Sequence, residues 1–119
     1  MANVTIQRTN SECYNPNNEY TCIMLLIDEQ EAGFINLDIQ GDEAQIAGVA
    51  IFKPFKGKSY YRQFLTAVLT KFKLFQLVST QRNENSNPCY EKWCGQNLDE
   101  DQVVNIRLTF DDELEFDVE

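Results

Sequence analysis

FKPFKGKSYYRQF, residues 52–64, is the stretch on which the reading of this chain turns. A strand-like apolar run, residues 44–52, leads into it. An apolar helical pattern leads out: Phe64, Leu65, Val68, Leu69 and Phe72 recur at i, i+1, i+4, i+5 and i+8, one face of a helix expected over 59–73. Between the two lie Lys53, Lys56, Gly57, Lys58 and Ser59, with no acid. The first turn of a helix carries unpaired N–H groups and a partial positive charge, so a basic strand-to-helix turn suits a phosphate. Gly57 lets the backbone turn sharply or approach a ligand closely.

The surrounding charge sharpens the point. The 119 residues carry a net charge of -9, yet residues 44–83 contain no Asp or Glu and seven Lys and Arg. Residues 99–119 hold nine acids and one base, Arg107. A positive segment inside an acidic chain points to an anionic ligand, with a phosphorylated molecule as the natural candidate.

Outward from the turn, the pattern is mostly strands. Residues 4–9 alternate weakly. Residues 10–20, NSECYNPNNEY, are polar with an Asn-Pro pair and are expected to form a loop. Strands are expected at 21–28, 33–39, 44–52 and 74–80, with a turn at 40–43. Gly48, inside the third of these, suggests a bulge or a close backbone approach. A short helix is expected over 85–92, with Pro88 in its first turn. Val104, Ile106, Leu108 and Phe110, then Leu114, Phe116 and Val118, alternate with polar residues as a terminal hairpin. Its acids form the outer face and discourage edge-to-edge pairing. The order predicts a single α+β (mixed α/β) domain over 1–119 with a mostly antiparallel sheet.

Several function classes fall away. The chain contains no His, which removes His-based nucleophile and base schemes. Cys13, Cys22, Cys89 and Cys94 form no C-x-x-C pair, so free thiols are expected and no metal site. The longest apolar run, residues 22–27, is far short of the ~20 residues a membrane helix needs. The N-terminus lacks the basic and apolar regions of a signal peptide, so a cytoplasmic location is expected. A P-loop would need a glycine at position 52, where Phe52 stands.

Two segments together resemble the GNAT family of N-acetyltransferases. KGKSYY, residues 56–61, is similar to that family's R/Q-x-x-G-x-G/A turn. NENSNPCYEKWCG, residues 83–95, is similar to its N-x-x-[AS]-x-x-x-Y-E-K-x-G segment, with Asn83, Ser86 and Tyr90 in the motif positions. The motifs span roughly residues 34–95, and the element order extends the likeness to the terminal hairpin. The second segment is the more specific.

The resemblance implies acetyl-CoA as a substrate. Main-chain groups near Ala50, Ile51 and Phe52 would pair with the pantetheine arm. The segment Gly57, Lys58, Ser59, Tyr60 and Tyr61 would hold the diphosphate, with Lys56 beside it and Asn83 and Ser86 across from it. Tyr90 would protonate the leaving thiolate, and Glu43, Asp38 or a water chain would take the proton of the acceptor amine. Ser59 and Tyr61 stand where the family has small residues, so the ring at 61 is expected to crowd the diphosphate unless it turns back towards the helix. The 10–20 loop is too short for the two helices that usually shape the acceptor pocket. Two functions follow: an acetyltransferase acting on an amine of a protein or other large acceptor, or an inactive GNAT-like interaction protein. The second would be an acidic inhibitor or accessory factor such as a phage encodes, with nucleic-acid mimicry as a special case. Direct nucleic-acid binding is not expected, and nothing fixes the oligomeric state.

Overall fold

A computed structural model describes residues 2–10 and 14–119. Cys13, and the 11–13 part of the expected loop, lie outside the described residues. Seven strands form one sheet in chain order: β1 (Val4–Arg8), β2 (Thr21–Ile27), β3 (Gln30–Gln40), β4 (Glu43–Ile51), β5 (Gln76–Ser79), β6 (Val104–Leu108) and β7 (Leu114–Val118). All neighbours are antiparallel except β4 and β5. A parallel pair needs a crossover, and the helix α1 (Tyr60–Lys71) supplies it. A second helix, α2 (Asn87–Cys94), lies between β5 and β6. The α+β architecture expected from the sequence is the one found.

The apolar stripe of α1 explains its place. Phe64, Leu65, Val68 and Leu69 are buried, and they join Ile23, Leu25, Ile35, Leu37, Leu77 and Ile106 of the sheet in one core. Each fully buried side chain of this size contributes about 1.5–3 kcal/mol. The described part of the 10–20 loop covers the opposite face near β3. There Tyr14 stacks on Phe34 at 4.5 Å, and the Asn36 Nδ2 donates to the Tyr14 carbonyl at 2.7 Å.

Of the boundaries that differ from expectation, among them β5, expected at 74–80 and found at Gln76–Ser79, three have a clear local reason. β3 begins at Gln30 rather than 33, because Asp28 and Glu29 make the preceding turn with φ of 50° and 70°, without glycine. α2 begins at Asn87 rather than 85, because the residues before it form a turn closed by Asn83. Phe110, expected on the inner face of the hairpin, is fully exposed. The β6 strand ends at Leu108, and the Thr109 N–H turns back to the Glu113 carbonyl at 2.7 Å. The acids of β7 do face outward, where Arg107 reaches Glu115 at 3.8 Å and Asp117 at 3.3 Å.

One strand is paired over only part of its length. β4 meets β5 from Glu43 to Ile46 and no further. At that point β4 also breaks step with β3: Ile46 faces Leu37 and Gly48 faces Asn36, which leaves Ala47 as an extra residue. A bulge of this kind bends and twists the strand. Beyond it β4 remains paired to β3 but diverges from β5. No helix among the described residues is long and apolar enough to cross a membrane.

Candidate functional site

The divergence of β4 from β5 opens a cleft of about 640 Å³. Its walls are the free half of β4, the turn leading into α1, and one side of α2. This volume lies in the range of small-molecule sites.

Main-chain direction follows from strand alternation. The Phe52 N–H donates to the Ala32 carbonyl at 2.7 Å, and the Ala50 carbonyl lies against Gly33 on β3. Both residues therefore aim their backbone at β3. Val49 and Ile51, one step out of phase, aim theirs into the cleft. Of the strand residues expected to meet a pantetheine arm, Ile51 is placed for it, and Phe52 and Ala50 are not. Val49 shares the backbone direction of Ile51.

The turn itself is open. Gly57 has φ of 76°, and Ser59, the residue before α1, has φ of 62° with no capping side-chain bond. The first-turn N–H groups of α1 are consequently left to solvent or a ligand. Lys56, Gly57, Ser59, Tyr60 and Tyr61 line the cleft, as do Asn83 and Ser86. Lys58 is exposed and outside the lining. Asn83 and Ser86 also hold each other: the Asn83 Oδ1 accepts from the Asn85 and Ser86 N–H groups at 2.9 Å, and the Asn83 N–H donates to the Ser86 Oγ at 3.2 Å.

Tyr61 settles the crowding expected at that position. Its ring turns onto α2, edge-on to Tyr90 at 5.9 Å and to Trp93 at 5.3 Å, and so forms a wall of the cleft. Its hydroxyl stands 3.1 Å from that of Tyr90. Burial pushes both phenols above their ordinary value, Tyr61 by a wide margin. Tyr90 is 1% exposed and does not line the cleft.

Glu43, expected as a base, is at the other end of the sheet. It opens β4 and accepts from the Gln76 Nε2, on the order of 25 Å along the strand from Ile51. Asp38, paired with Gln45, lies toward the same end. Among the described residues no carboxylate lines the cleft, whereas Lys56, Arg62 and Lys92 do.

Besides Val49, four residues at or behind the cleft escaped the sequence reading as site residues. Arg62 and Lys92 are basic residues on helices, and their helical phase could have signalled them. Trp93 packs against the core on one side and lines the cleft on the other. Arg82 gives no such signal. It is 8% exposed and has no carboxylate partner among the described residues, and its guanidinium is held by neutral acceptors.

Comparison with known proteins agrees with this geometry. A family model described as the acetyltransferase (GNAT) family matches residues 3–96. No curated protein sequence matches the chain. The ribosomal-protein-S18-alanine N-acetyltransferase of Escherichia coli has a similar structure, with a TM-score of 0.57 at 16% identity over 76% of both chains. A Bacillus subtilis acetyltransferase solved in complex with CoA gives 0.55 at 16% identity, over 78% of this chain and 76% of that one. The IAA acetyltransferase of Bacillus cereus gives 0.56 at 15% identity, over 77% and 75%. At such identities the likeness is one of fold.

Proposed function

The chain belongs to the GNAT acetyltransferase family, and from that premise we propose that it moves an acetyl group from acetyl-CoA to an amine on a protein or other large acceptor. The observation that carries this reading is the open half of β4. Val49 and Ile51 offer the pantetheine arm the backbone partners that β5 withholds, so the arm binds as a short added strand.

The diphosphate fits the other end of the cleft. The free N–H groups that begin α1 meet its oxygens, and Gly57 leaves room for close approach. Lys56, Arg62 and Lys92 supply positive charge at the rim. Neither Lys58 nor Phe52 has a direct part in this arrangement.

Acetyl transfer needs a neutral amine, a stabilised oxyanion and a protonated leaving group. In this reading a main-chain N–H of Val49 or Ile51, on the half of β4 that β5 leaves unpaired, receives the oxyanion. A lysine-like amine has a pKa of about 10 and must lose a proton before it attacks. With Glu43 and Asp38 at the far end of the sheet, that proton leaves through water. Residues 14–20, where a small acceptor would otherwise be enclosed, hold no helix, and this favours a large acceptor docking on an open face.

A second reading, a GNAT-fold interaction protein without chemistry, is favoured by the burial of Tyr90 behind the Tyr61 ring. Calorimetric titration with acetyl-CoA separates the two. Micromolar binding to the wild-type chain is expected under the first, together with acetyl-CoA-dependent thiol release when an acceptor amine is supplied. An absence of heat at excess ligand would leave only the second.

A further inference from the structure

At the start of α1 the cleft adjoins a second, more open groove of about 740 Å³. Gln63, Thr66 and Ala67 of the helix line it, facing Asp112 and Glu113 of the turn between β6 and β7. Leu114 of β7 and Val4 of β1 complete the lining. Ser59 and Arg62 belong to both hollows. Helical phase explains this. Positions 59, 62, 63, 66 and 67 recur at i, i+3, i+4, i+7 and i+8, a stripe of α1 offset from the buried one of Phe64, Leu65, Val68 and Leu69.

Arg62 stands where the two hollows meet. Its guanidinium lies 5.9 Å from the centre of the Trp93 ring and 5.7 Å from that of Phe116. Among the described residues no carboxylate forms an ion pair with it. Two ring faces hold the cation in place and leave its N–H donors for a ligand. Along the groove the charge then changes sign. Asp112 and Glu113 are exposed, and among the described residues neither pairs with a cation. Val4, Ala67 and Leu114 add apolar surface.

A ligand matching this lining has an anion at the Arg62 end, a body with an apolar face, and an N–H donor for the carboxylates. We propose that the second groove receives the adenosine end of the coenzyme, with Arg62 beside its phosphates and the Asp112 and Glu113 carboxylates accepting from the 6-amino group of adenine. The inference rests on the reading that the cleft holds acetyl-CoA. The diphosphate of that reading lies at the start of α1, and Ser59 is common to both hollows, so the nucleoside joined to it has the groove within reach. Electrostatics fixes the sense. The 3′-phosphate on the ribose is drawn to Arg62 and repelled by the two carboxylates, which leaves the neutral base for the acidic end. A carboxylate only accepts hydrogen bonds, and the adenine amino group is a donor. Asp112 and Glu113 select the base and take no part in acetyl transfer.

Calorimetry with CoA and with 1,N6-etheno-CoA tests the base contact. The two ligands carry the same phosphates, and the etheno bridge removes the amino N–H donors. The wild-type chain is expected to bind CoA about five- to tenfold more tightly than the etheno form. In the exposed double variant Asp112→Gly, Glu113→Ala that preference should fall to about one. Loss of two negative charges by itself moves both affinities together, so the ratio isolates the hydrogen bonds. Nitrogen-15 spectra of the wild-type chain test the place. CoA should shift the Ala67 and Leu114 amides, and 4′-phosphopantetheine, which lacks the nucleoside, should leave them unmoved.

The proposal is overturned if the wild type binds both coenzymes alike, if the double variant keeps the preference, or if saturating CoA does not shift the Ala67 and Leu114 amides. Any of these results, seen with CoA bound, leaves the coenzyme reading standing. Failure of the folded wild-type chain to bind CoA at all brings down both.

Discussion

The two helices begin in opposite ways. At α2, the Asn83 and Ser86 side chains close the turn that precedes the helix, the Asn87 and Cys89 N–H groups reach the Asn83 and Ser86 carbonyls, and Arg82 reaches in to bond Asn87. At α1, Ser59 sits in a left-handed conformation, bonds no first-turn N–H, and comes two residues after a glycine that is also left-handed. Both starts carry serine, so residue type alone does not distinguish them. What differs is whether local partners satisfy the backbone. The closed start holds the site in place, and the open one is available to a ligand.

The contrast can be broken at its strongest point first. Arg82→Met should cost about 3 kcal/mol in urea unfolding, because several buried acceptors lose a charged donor together. A loss below about 1 kcal/mol would mean that the α2 end does not depend on this anchor. Next comes Lys56→Glu, which should weaken acetyl-CoA binding tenfold or more, about 1.4 kcal/mol, with the melting temperature unchanged. Unaltered affinity would remove the α1 turn from the phosphate site.

Two smaller effects sharpen the comparison. Asn83→Ala should cost about 1 kcal/mol of stability, the usual net value of hydrogen bonding lost from the turn before α2. Ser59→Gly should stabilise the free protein by a few tenths of a kcal/mol, since glycine accepts the left-handed conformation without strain. If Ser59→Gly instead destabilises as much as Asn83→Ala, the two helix starts are alike and the contrast fails. Chemical unfolding of the three chains side by side decides it.

Much of this was legible in the residues. The helical stripe of α1 and the alternation in β3 and β7 name the core, because burial imposes those periods on the chain. Gly48 hinted at a bulge, and one lies beside it at Ala47. The two motif segments name the family. The sequence hid whatever depends on distant parts meeting. Glu43 is close to Lys56 along the chain but at the far end of an extended strand. Tyr90 occupies the motif position, yet Tyr61 comes between it and the cleft, and only the packing of α1 against α2 reveals that. Arg82 looks like one more surface cation, and its burial is set by carbonyls some twenty residues further on.

Ala47 has a consequence for how such a chain tolerates change. Removing it would leave every ladder partner on β3 as it is, since Ile46 and Gly48 already face consecutive residues there. The kink alone would vanish, letting the seam with β5 zip further along. A one-residue deletion is thus the smallest edit expected to seal the mouth of the molecule while sparing its frame, a loss that coenzyme titration would register and cooperative unfolding would not.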